Sequence, residues 1–198
     1  MRLFVLSRHA ESTLNHERRV NGDPSRPVGL TERGQEEARA LAVQLANVQF
    51  DACVVTRFPR TRETAEIALA GRDVPILVQE LLDDIDVGDL DGSPVEEYRA
   101  WKRAHTRSDP FPGGESLDDA GARYAAAWRR VLTLPHDRVA VVCHEIPLRY
   151  ALNGAGGSDE LDGPVHALRN ATPYLFTEES LARAATGIER VLGLAAGG

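Results

Sequence analysis

Four short apolar runs, residues 3–6, 52–55, 74–78 and 139–143, narrow the possible folds more than any other feature of the chain. Their apolar residues run together instead of alternating, the pattern of strands buried on both faces of a parallel sheet. Between the runs lie stretches with helical spacing. Thr31 caps one in which Ala38, Leu41, Ala42, Leu45 and Val48 share a face. A second spans residues 61–70. Ser116 caps the longest, with Leu117, Tyr124, Val131 and Leu132 near one face. Residues 148–152 read as helix, and 174–176 and 191–194 as later strands. This alternation predicts an α/β fold, a three-layer α/β/α sandwich around a mostly parallel sheet.

The 198 residues suit one domain over 1–198. Ser93-Pro94-Val95-Glu96 has the cap, proline and glutamate order of a helix start. A Pro/Gly loop at 109–114 ends that helix, so residues 93–115 read as a small helical cap insertion. The Ala-Ala-Gly-Gly end at 195–198 predicts a frayed tail. Cys53 and Cys143 sit far apart in apolar runs, with no Cys-x-x-Cys. The first residues hold too short an apolar stretch for a signal peptide, and no run approaches the roughly 18 apolar residues of a membrane span. The expectation is a cytoplasmic protein with no membrane partner. A net charge of −7 speaks against nucleic-acid partners. The basic set is 22 Arg and one Lys, most of it codon preference, although guanidinium also matches phosphate oxygens bidentately. A homodimer stays open.

In a sheet of this kind ligands sit at the C-terminal ends of the strands. Arg8 and His9 end the first run, His144 ends the fourth, and Arg60 opens the helix after the second. Two histidines with arginines at strand ends fit phosphoryl transfer. A neutral imidazole attacks phosphorus in line, while arginines and the second histidine neutralise the equatorial oxygens. If the protein supplies these cations, no metal or cofactor is required.

The residues that carry this chemistry resemble the histidine phosphatase family, also called the phosphoglycerate mutase-like superfamily. Its Arg-His-Gly-Glu-Ser/Thr-x-x-Asn signature is similar to Arg8-His9-Ala10-Glu11-Ser12-Thr13-Leu14-Asn15. The resemblance continues through Leu30-Thr31-x-x-Gly34-Gln35, Arg60 with Glu63-Thr64-Ala65, Asp84-x-x-x-Gly88-x-x-Asp91-Gly92, residues 111–116, residues 141–144 and Asn170-Ala171-Thr172. It implies the phosphoglycerate mutase-like fold, and His9 as the phosphorylated nucleophile. Arg8, Arg60 and His144 are implied to form the phosphate pocket, with Asn15 as a further ligand. Asp84 is implied to be the general acid, with Glu80 and Asp86 as rivals. The chain departs from the pattern at four places: Ala10 for glycine, Asp84 for glutamate, Leu90 and Asp91 in the Gly-x-Trp-Glu-Gly stretch, and Glu145 for the glycine after the second histidine.

The function expected is metal-independent hydrolysis of a small phosphorylated metabolite through phospho-His9. Two alternatives stand beside it. One is cofactor-dependent phosphoglycerate mutase-type transfer, since Trp101-Lys102-Arg103 is similar to a Trp-Arg-Arg stretch of those enzymes. The other is a pseudo-phosphatase that binds a phospho-ligand without turnover. Cys143 and Arg149 also satisfy the Cys-x5-Arg spacing of cysteine-dependent phosphatases, but the intervening residues hold Pro147 and no glycine to wrap a phosphate.

Overall fold

The computed structural model describes residues 2–194; the tail expected to fray at 195–198 lies outside them. Five strands form one sheet: β1 (Leu3–Arg8), β2 (Ala52–Val55), β3 (Ile76–Val78), β4 (Arg138–Cys143) and β5 (Pro173–Thr177). Their order is β3-β2-β4-β1-β5. The first four are parallel, and β5 pairs antiparallel with β1 at the edge.

The continuous apolar runs are explained by what covers the sheet. Successive residues of a strand point to opposite faces, and both faces here are dry. Leu6, Val54 and Val141 pack into one core with Trp128, Leu148 and Leu181. Those partners come from α5 (Leu117–Leu132), α6 (Glu145–Ala155) and α7 (Glu178–Val191). Their neighbours Val5, Cys53 and Ala140 pack into a second core with Leu41 and Ala65, from α2 (Glu32–Gln44) and α3 (Pro59–Ala68). The short α1 (Thr13–His16) and α4 (Val95–Ala104) lie in the connections. The three-layer sandwich is therefore present as expected. Among the described residues, no helix is long and apolar enough to cross a membrane.

Several local expectations need correction. Residues 191–194 are not a strand. Val191 closes α7 on the apolar stripe of Leu181, Ala184, Ala185 and Ile188, so the apolar residues there are the end of a helix. Helix α3 begins at Pro59, not at residue 61, because proline at the first position already holds helical φ. Strand β3 is shorter than 74–78, since Pro75 has no N–H to donate; its carbonyl still accepts from the Cys53 N–H at 2.9 Å.

Ser93 does not cap α4. The cap position is Pro94, and no side chain closes it. Tertiary pairing takes the residue away: the Val20 N–H donates to the Ser93 carbonyl at 2.9 Å, and Arg19 pairs with Pro94 as an isolated bridge. Helix α4 is held from its apolar side, where Trp101 lies 4.2 Å from Phe111 between ring centres.

Candidate active site

Strand register assembles the centre. Arg8 lies opposite Cys143 in the parallel β1–β4 pair, so the next residues, His9 and His144, emerge side by side. The His9 N–H donates to the Cys143 carbonyl at 2.9 Å, and the two imidazole rings are 5.4 Å apart. Strand β2 flanks β4 and is followed by Thr56, whose Oγ1 is 2.9 Å from His144 Nε2. His9, His144 and Arg60 are all buried.

The tautomer of His9 follows from its partner. Nδ1 lies 2.7 Å from the Ala10 carbonyl oxygen, which only accepts, so Nδ1 carries the proton. Nε2 is left with a lone pair, to which Arg60 Nε donates at 3.0 Å. Burial, reinforced by Arg60 and Arg8, pushes the His9 pKa well below its ordinary value. The ring is thus neutral at neutral pH. Asn170 Nδ2 donates to the His9 carbonyl at 2.7 Å and fixes the backbone from the loop before β5.

Arg60 is the hub. Its other nitrogens reach Asn21 Oδ1 and, at 3.2 Å, the Asn21 carbonyl, together with Asp84 Oδ2 at 3.0 Å and His144 Nδ1 at 3.1 Å. Phe58, at the start of α3, supports the guanidinium with its ring face, 4.2 Å away. A buried cation needs this many partners, because an unpaired one is costly to desolvate. Arg57 and Arg62 do not reach the centre: they pair with Asp83 and Glu66. Burial, then Arg60, holds the His144 pKa well below the ordinary value, so this ring is also neutral. With Nδ1 accepting from Arg60, His144 Nε2–H donates to Thr56 Oγ1.

Asp84 completes the group, with Oδ2 3.4 Å from His144 Nδ1. Burial raises its pKa, with Arg60 opposing. The rival Glu80 is exposed, and Asp86 is exposed with its Oδ1 taken by the Gly88 N–H at 2.9 Å. A cavity of about 560 Å³ opens beside Asp84, lined also by Gly22, Arg57 and Arg123. Arg8 Nη1 reaches the Leu168 carbonyl at 2.9 Å and Glu145 Oε2 at 2.7 Å. Asn15 stands apart from these contacts: its Oδ1 accepts the Ser12 N–H in a capping box.

Cys143 is the last residue of β4, fully buried, its thiol pushed up by burial, while Arg149 is held by Glu145 and Asp162. Helix α6 starts at Glu145, so no loop wraps a phosphate there. Asn21, Thr56, Phe58 and Asn170 serve the site through other residues. Of these only Asn170 lay in a motif of the sequence, and none was singled out for the site.

The histidine phosphatase superfamily (branch 1) matches residues 4–180. The chain is 35% identical over 168 residues to a 2,3-bisphosphoglycerate-dependent phosphoglycerate mutase of Methylobacterium sp. (strain 4-46), covering 75% of this chain and 77% of the relative. It is 31% identical over 194 residues to the enzyme of the same name from Methylobacterium radiotolerans, covering 88% and 89%. In structure it resembles an alpha-ribazole phosphatase from Shigella flexneri, with a TM-score of 0.78 at 22% identity over 88% of this chain and 90% of the other. That last likeness concerns the fold.

Proposed function

The chain belongs to the histidine phosphatase superfamily, and from that membership we propose that it is a metal-independent phosphomonoesterase acting on a small phosphorylated metabolite. The observation that carries this reading is the lone pair of His9 Nε2, left unprotonated by the Nδ1–H to Ala10 bond and held beside the Arg60 guanidinium. Nε2 attacks phosphorus, and the bond from phosphorus to the ester oxygen breaks in line. Arg8 and Arg60 stabilise the charge that gathers on the equatorial oxygens, with His144 orienting Arg60 through Nδ1. Asp84, whose pKa burial raises, gives a proton to the leaving alkoxide. The cavity beside Asp84 offers room for the alcohol. Water then attacks the phosphohistidine, Asp84 takes its proton, and the P–N bond breaks to return neutral His9 and inorganic phosphate.

His9→Ala is expected to abolish phosphate release at every pH. The wild type forms an acid-labile, base-stable phosphoprotein that Cys143→Ser retains and His9→Ala loses. Turnover retained in His9→Ala overturns the mechanism.

The names of the curated relatives favour a second reading, mutase-type transfer. Against it, three cations beyond Arg8 already face carboxylates. Arg107 lies 3.0 Å from Asp118, Arg149 lies 2.6 Å from Asp162, and Lys102 lies 3.9 Å from Asp162. A carboxylate-bearing sugar acid would have to compete with these. Incubation with 3-phosphoglycerate and 2,3-bisphosphoglycerate separates the two: isomerisation faster than phosphate release selects the mutase. Ligand binding with no release of phosphate from any monoester selects a non-catalytic binder.

A further inference from the structure

Glu145 follows the second histidine directly and is the first residue of α6. The opening turn of a helix favours an anion through its free N–H groups and its dipole. His144, at the cap position, supplies no side-chain bond to that turn. The carboxylate therefore occupies a place that would equally favour a phosphate.

Its contacts are those of a counter-ion. Oε2 lies 2.7 Å from Arg8 Nη1, and Oε1 lies 3.3 Å from Arg149 Nη1. Arg149 is anchored independently, to Asp162 at 2.6 Å and to the His166 carbonyl at 3.0 Å. Arg8 meanwhile keeps its Nε–H buried without an acceptor, a donor left over for an incoming oxygen. A phosphate that takes Arg8 through Nη1 as well displaces one oxygen of Glu145. The other remains held by Arg149, so the negative charge stays at the rim of the pocket.

The cations that neighbour Arg149 already face carboxylates. Arg107 is shared between Asp118 and Asp162, and Lys102 faces Asp162. The cavity beside Asp84 adds Glu80 and Asp86, while its arginines, Arg57 and Arg123, are already paired with Asp83 and Glu115.

We propose that Glu145 is the specificity-determining residue of the phosphate pocket, selecting monoesters whose alcohol is neutral or cationic and rejecting those with a second anionic group beside the ester. This rests on the phosphate-pocket reading of the site, and its test is independent of turnover.

Two phosphonates of similar size and opposite tail charge, 2-aminoethylphosphonate and 3-phosphonopropionate, contain C–P bonds that a phosphomonoesterase does not cleave. Calorimetric titration of each into wild type and Glu145→Gln gives a ratio of dissociation constants. The wild type is expected to favour the amine. In Glu145→Gln the ratio is expected to shift towards the carboxylate by about ten-fold or more, as removal of one charge near the ligand requires. The variant keeps the side-chain shape, so a purely structural role weakens both ligands alike and leaves the ratio unchanged. An unchanged ratio, or a wild-type preference for 3-phosphonopropionate, overturns the proposal, as does binding of neither ligand to either protein. Failure of the hydrolase reading is seen separately, as absent phosphate release with the charge preference intact.

Discussion

At the scale of single residues, Asp84 carries the sharpest expectation. Burial raises its pKa against the pull of Arg60, which favours the protonated form a general acid needs. The value of kcat/KM is expected to fall on the alkaline side as that proton is lost. Asp84→Asn should remove this limb and lower turnover of alkyl esters by about 10²–10⁴-fold, with a smaller loss on aryl esters, whose leaving groups need less protonation. Equal losses on both classes would assign the acid role elsewhere. The positions of His9, His144 and Arg60 were legible in the sequence because strand ends and a helix start are local signals. Asn21, Thr56 and Phe58 were not, because each acts on another side chain brought up by the sheet. Asn15 shows the opposite failure. It stands in the family motif, yet its Oδ1 closes the turn of Ser12, so a ligand role for it stays a proposal.

At the scale of elements, α6 connects the centre to the packing behind it. Its first residue is Glu145, while its last turns cross α7 almost backbone to backbone. A Cβ on Gly187 would stand 2.3 Å from the Gly154 carbonyl oxygen, and one on Gly154 would stand 2.6 Å from the Ala184 carbonyl oxygen. Neither obstacle is a flexible side chain, so the helices must separate. Gly187→Ala is expected to destabilise the protein by about 1–3 kcal/mol in urea denaturation, against a gain in helix propensity of under about 1 kcal/mol. A neutral or stabilising result would mean that the crossing is looser than described. The parallel strands were readable from their continuous apolar runs, and the main helices from the period of their apolar residues. The start of α4 was not, because the Ser-Pro-x-Glu pattern is a local signal overridden by pairing of Ser93 and Pro94 with residues 19–20. The end of α7 was misread because a short apolar run does not distinguish a strand from the last turn of a helix.

For the whole molecule, the site couples protonation to folding. His9 and His144 are buried and neutral, each with a pKa well below the ordinary 6.5. As pH falls through 6.5 the unfolded chain takes up protons on both rings, while the folded chain does not. Stability is therefore full above that pH and declines as pH falls towards the lowered native values, by up to about 1.4 kcal/mol per pH unit for each proton. Asp84 works in the opposite sense. Its raised pKa makes the folded state bind a proton before the unfolded state does, which offsets part of the loss at still lower pH. The melting temperature is accordingly expected to drop between pH 6.5 and about pH 5, and to drop less steeply in His9→Gln, which has one fewer linked proton. An identical slope in wild type and variant would show that His9 is not the neutral buried base its contacts describe. Inorganic phosphate should raise the melting temperature of the wild type at fixed pH, since a ligand of the folded state alone stabilises it. The rise should be larger in Glu145→Gln, where phosphate no longer competes with a carboxylate for Arg8.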